Sequence, residues 1–169
     1  MNAMTAGPAD DGATYGLLEG TNVMTLRGAM PVEALEPGDR VITRSGALAL
    51  ERVAMRREAA PRMVRVAASA LATDRPDADI VMTADQPILV RDWRAPAMAG
   101  QPQALMAAGR MADGEYIRPE PMDEARLYTL HFAVPAVIYA HGLGLACAPV
   151  AAGAGGGGSP PPPRAASGP

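Results

Sequence analysis

The sequence predicts one mainly β domain with disordered termini, on three observations. Short apolar runs recur between Gly, Pro, Asn and Asp turn signals, the mark of a sheet protein made of many short strands. No apolar pattern of helical period runs long enough to build a bundle. From Arg126 to Phe132 the chain alternates strictly, with Tyr128, Leu130 and Phe132 set against Leu127, Thr129 and His131. At 169 residues the chain has enough length for one real core and too little for two.

Taken in order, residues 1–14 are small and polar and read as a flexible lead; residues 15–149 carry the domain; residues 150–169, rich in Gly and Pro, read as a disordered tail. Asn22 to Leu26 is a strand. Pro31 to Leu35 leads into Glu36-Pro-Gly-Asp39, a turn because Pro presets φ and Gly accepts positive φ. Arg40 to Thr43 follows, and Ser45-Gly46 breaks the chain as a hairpin would. Further strands are expected at Ala49 to Val53, Met63 to Ala67, Ile80 to Thr83, Ile88 to Val90 and Val137 to Ala140. Ala104 to Met111 is expected to form a short helix or turn that feeds Asp113-Gly114. An all-β barrel or complicated sandwich suits this pattern.

Composition narrows the function. Aromatics make up only 4%, so core volume must come from aliphatic residues and eleven Met. Every cation is Arg, and the net charge is −3, which gives no electrostatic drive toward nucleic acid. The absence of Lys removes Schiff-base chemistry on a side chain. A single Cys147 makes no intramolecular disulfide, and no stretch approaches the roughly 20 apolar residues that span a bilayer. No membrane insertion and no secretory leader are expected, which places the protein in the cytoplasm by default.

The segment Gly20-Thr-Asn-Val-Met-Thr-Leu-Arg-Gly-Ala-Met-Pro-Val-Glu-Ala-Leu-Glu-Pro-Gly-Asp-Arg-Val-Ile-Thr43 resembles the opening of bacterial domains of the Hedgehog/intein (Hint) family. There a Gly-Thr strand precedes a Pro-Val-Glu and Pro-Gly-Asp element. Ile80 to Arg94 is similar to the family's middle segment, and Leu127 to Leu143 to its closing strand pair. The resemblance covers about Tyr15 to Pro149. It implies a pseudo-two-fold, horseshoe-like fold of short strands. It also implies a chemistry in which a Cys or Ser attacks the carbonyl just before it, while a Thr-x-x-His element polarises that peptide bond.

Carried onto this chain, the resemblance puts Gly16 in the nucleophile slot, which needs a thiol or hydroxyl to form an ester. Thr83 matches the Thr of the Thr-x-x-His element, but Gln86 stands at its His, and an amide does not shuttle protons near neutral pH. Pro135 aligns with a further His on the late strand. Asn cyclisation has no residue near the C-terminal junction, since Asn2 and Asn22 are the only Asn. Self-cleavage is therefore expected to be lost. Thr21 is the nearest substitute nucleophile, with His131 as its base, but each also reads as an ordinary strand residue, His131 half-exposed.

The remaining candidates have plain readings. His141 suits a turn position between Ala140 and Gly142. Cys147 reads as a small hydrophobe or semi-exposed thiol. Asp74, Asp77 and Asp79 lack the glycine and closing carboxylate of a calcium loop and read as a solvated loop. Arg52, Arg56, Arg57, Arg62 and Arg65 read as a charged sheet edge, mixed with Glu51 and Glu58. Two His and one Cys, far apart, make no zinc site, and no phosphate loop or dinucleotide fingerprint is present. No metal or cofactor is implied. Three functions stay open: a non-catalytic module that binds an unidentified protein partner, a domain with residual autoproteolysis near Thr21 or Thr14, and an accessory protein exported by a C-terminal signal.

Overall fold

The structure is a computed structural model that describes residues 15–148. The expected lead, the expected tail and Thr14 lie outside the described residues. The strands are β1 (Leu17–Leu18), β2 (Asn22–Thr25), β3 (Gly28–Pro31), β4 (Arg40–Thr43), β5 (Gly46–Ala49), β6 (Arg52–Ala59) and β7 (Met63–Val66). They continue as β8 (Ile80–Thr83), β9 (Pro87–Val90), β10 (Ala104–Ala107), β11 (Ile117–Pro119), β12 (Glu124–His131), β13 (Ala136–Ala140) and β14 (Leu143–Cys147). They form two antiparallel sheets. The eight-stranded sheet runs β10-β9-β14-β13-β4-β2-β3, with β5 on β4; the six-stranded sheet runs β11-β7-β8-β1-β12-β6. No helix among the described residues is long and apolar enough to cross a membrane.

Two hairpins of the large sheet close by the same device. Thr25 pairs with Gly28, and Thr43 with Gly46. In each, the Thr hydroxyl donates to the Gly carbonyl at 2.7 Å and accepts the N–H two residues on at 3.0 Å. Gly28 and Gly46 take φ of 98° and 101°, where a side chain would be strained. The hydroxyl thus satisfies a turn donor that would otherwise need water. The Pro37-Gly38 turn forms as expected, with Asp39 N–H donating to the Glu36 carbonyl at 3.0 Å.

Several expected elements are redrawn. Between Pro31, which ends β3, and the Glu36-Pro-Gly-Asp39 turn, Val32–Ala34 forms a 3-10 turn. Ala49 to Val53 is not one strand: the chain leaves the large sheet after Ala49 and enters the small one at Arg52. Between them Leu50 is buried, its N–H donating to the Asp39 carbonyl at 2.8 Å. Ala104 to Met111 opens as strand β10, and only Ala108–Met111 is helical, a 3-10 turn. A later crossing between sheets, from β12 to β13, carries the single Phe132, fully buried. Met63, Met82, Met106 and Met111 are buried too, so the core is aliphatic and thioether-rich as the composition implies.

Asp113 anchors the approach to β11. Its Oδ1 accepts backbone N–H bonds from Glu115, Tyr116 and Ile117 at 2.9, 2.9 and 3.0 Å. These bonds, that from Ile117 foremost, hold its carboxyl below the usual carboxylate range. A lowered folded value means the native state binds its proton less readily than the unfolded chain. The stabilisation is therefore complete at neutral pH and fades as pH falls from the ordinary carboxylate value through the folded one. Asp113→Ala is expected to cost about 1 kcal/mol at pH 7, and urea titrations should show the gap to the native chain narrowing by pH 3.

Candidate functional site

Gly16 lies just before β1, which is wedged between β12 and β8 by the pairs Tyr128 with Leu17 and Leu17 with Met82. That wedge sets the Tyr15–Gly16 peptide against the end of β8. Thr83 closes β8, and a tight turn, with Gln86 N–H donating to the Thr83 carbonyl at 3.1 Å, brings Gln86 to the head of β9. The structure therefore assembles Gly16, Thr83 and Gln86 at one place.

Two hydroxyls grip the Tyr15–Gly16 peptide. Gly16 N–H donates to Thr83 Oγ1 at 3.1 Å, and Thr83 Oγ1 donates to the Gly16 carbonyl at 3.4 Å. On the other side, Thr129 Oγ1 donates to the Tyr15 carbonyl at 3.1 Å. Such a bond draws electron density from the carbonyl, but only a placed nucleophile turns that into chemistry. Residue 16 supplies none. A Cβ there would meet the Tyr128 carbonyl oxygen at 3.2 Å and Leu127 Cβ at 3.3 Å, so the pocket is fitted closely around a glycine.

Gln86 is buried and both of its amide donors are occupied. Its Nε2 donates to the carbonyls of Pro87 and Ala146 at 3.0 and 3.1 Å. The second bond ties the turn after β8 to β14. Here the amide acts as a two-donor clip. The residual cavity, bounded by Gly16, Gln86, Thr129, Ala146 and Cys147 among others, is about 10 Å³, room for one water at most. Cys147 is buried there, and desolvation pushes its thiol up to about 12, so it stays protonated rather than nucleophilic near neutral pH.

The other candidates fall elsewhere. Pro135 is exposed in the loop between β12 and β13 and does not line the cavity. His131 is buried, not half-exposed, because the ladder to β6 and the nearby crossing of the chain cover its end of β12. It follows Thr129 by two residues on the same strand face, about 7 Å along, and is not a lining residue of the cavity. Thr21 is buried in the turn after β1, its N–H bonded to the Leu18 carbonyl and its carbonyl to the Val32 N–H, also apart from the cavity.

His141 takes φ of 53° in the β13–β14 turn and sets Nδ1 3.0 Å from Asp77 Oδ1. Asp79 caps the Ala68 N–H and pairs with Arg65. Arg56 and Arg57 lie on β6, an edge of the small sheet, beside Glu58 and Glu124; Arg62 pairs with Asp85 and Arg65 with Glu120. The Arg cluster is thus diluted by carboxylates at nearly every position. No group of His, Cys, Asp and Glu among the described residues is arranged to hold a metal ion.

Comparison with known proteins places the fold. The model of the Hint domain matches residues 15–146. The gp41-1 intein is similar with a TM-score of 0.53 and 14% identity, over 78% of this chain and 97% of the intein. A bacterial intein-like domain from Clostridium thermocellum gives 0.56 and 16%, over 77% and 96%. A DnaB intein from Synechocystis gives 0.53 and 9%, over 79% and 99%. These identities speak to fold alone. Among curated protein sequences none is a match.

Proposed function

Because the chain belongs to the Hint domain family, we propose that it is a Hint scaffold that has lost self-cleavage and serves as a binding or accessory module. One observation carries this reading. The Tyr15–Gly16 peptide is held by the Thr83 and Thr129 hydroxyls as a scissile bond would be, yet residue 16 has no side chain and residue 86 is a clipped amide. Acyl transfer needs a heteroatom nucleophile and a group that moves its proton. What remains of the site binds backbone.

Hydroxylamine tests the reading, since it cleaves backbone esters and thioesters but leaves amides intact. Incubation of the purified chain at neutral pH is expected to leave one full-length mass. Cleavage before Gly16 or Thr21 would overturn the proposal. The alternative, residual autoproteolysis at Thr21 with His131 as base, has less support, because Thr21 is built into a turn away from the peptide that the two hydroxyls grip. If cleavage did occur, its persistence in Thr21→Ala would clear that residue.

A further inference from the structure

A second concavity, sharing no lining residue with the Gly16 cavity, opens over the outer face of the eight-stranded sheet and encloses about 930 Å³. Met24, Leu89, Tyr139 and Gly144 form its floor, from β2, β9, β13 and β14. Gly144 keeps that floor low: a Cβ there would stand 3.0 Å from Val137 Cγ1 and 3.2 Å from Leu89 Cβ. One wall is the loop between β7 and β8. It is fastened to the β13–β14 turn by Asp77 N–H, which donates to the His141 carbonyl at 3.1 Å, and by the Asp77–His141 side-chain pair. The rim mixes Arg75 and Arg91 with Asp74 and Asp92.

We propose that this groove is the docking site of the chain's own segment Ser159 to Arg164, Ser-Pro-Pro-Pro-Pro-Arg. The floor is the face of a sheet, not its edge, so it offers a ligand no ladder of backbone N–H and C=O groups and does not suit an added strand. A run of prolines asks for none. It presents carbonyls without N–H groups and a rigid apolar ridge, and it is matched by an apolar floor bearing an aromatic, with side-chain donors at the rim. Tyr139 supplies the aromatic; Arg75 and Arg91 supply the donors. Arg164, next to the run, finds its complement in the rim carboxylate Asp74, since Asp92 is already paired with Arg94.

The tether reaches. Gly144 is four residues from Ala148, about 13 Å at the rise of a strand. The ten residues 149–158 that precede Ser159 include five Gly, and a Gly-rich linker of ten residues has a reach of about 17 Å. A tethered ligand acts at millimolar effective concentration, so modest contacts suffice to seat it.

A nitroxide on the full-length Ser159→Cys chain tests this, with the native chain as the labelling control, since Cys147 is buried. In the ¹⁵N-labelled protein the amide signals of Met24, Leu89 and Tyr139 are expected to lose more than half their intensity. Arg164→Glu in the same chain is expected to restore most of it. Broadening limited to residues beside Ala148 would overturn the proposal. So would broadening that appears when spin-labelled chain is mixed with ¹⁵N chain lacking the label, because a second copy would then be the occupant. Unchanged broadening in Arg164→Glu would overturn the pairing of Arg164 with the rim.

Discussion

Adding a thiol and an imidazole at once, as Gly16→Cys with Gln86→His, is expected to make the chain cleavable by hydroxylamine between Tyr15 and Gly16, while the native chain stays whole. The Tyr15 carbonyl already receives the Thr129 hydroxyl, and the Gly16 N–H already lies on Thr83. A thiol at residue 16 adds the atom that attacks, and an imidazole at residue 86 adds the group that moves its proton. The backbone at Gly16 is not in the left-handed region, so Cys enters without φ strain. Its Cβ must displace Tyr128 and Leu127 by a few tenths of an ångström, at a cost of roughly 1–3 kcal/mol in stability. General acid-base catalysis contributes about 10²–10⁴-fold, so Gly16→Cys alone is expected to react slower than the double variant by that factor. Intact mass against time reads both. A folded double variant that never cleaves would show that these positions are not the reactive slots.

The largest loss of stability is expected from Phe132→Ala, at about 3–5 kcal/mol. Phe132 is the single Phe and is fully buried where the chain passes from the small sheet to the large one. Among the described residues the other aromatics are exposed or half-buried, and Trp93 is 67% exposed. Nothing of similar volume stands ready to fill the void. For a domain of ordinary stability, about 5–15 kcal/mol, the change removes a large share of the total. Phe132→Leu, which keeps most of the volume, is expected to cost far less. Urea denaturation followed by circular dichroism measures each; a loss below about 1 kcal/mol for the Ala variant would mean that the crossing repacks around the gap.

Strands with clean turn signals were legible in the sequence: β4, β8 and the alternation of β12 stand where expected. β1 is only two residues long and β14 contains Gly144, so neither carries a local pattern, and both exist because long-range pairing holds them. Leu50 misled for a related reason. An apolar residue between two apolar runs reads as one strand, whereas here it plugs the core while the chain changes sheets.

The site divides in the same way. Gly16, Thr83 and Gln86 were placed by resemblance, and the structure brings those three together. Pro135, aligned with them, lies exposed elsewhere. Thr129 and the Ala146 carbonyl went unrecognised because they join the site across 114 and 60 residues of sequence. The one local hint was the position of Thr129, on the strand face it shares with Leu127 and His131. His131 was misjudged for exposure because alternation shows which face a residue takes, not whether another layer covers that face.

Our proposal is that the scaffold holds the Tyr15–Gly16 peptide without breaking it. Its most direct test is the intact mass of the freshly purified chain over a day at neutral pH, with and without dithiothreitol. One full-length mass in both samples is the predicted result; fragments beginning at Gly16 or Thr21, with or without thiol, would contradict it.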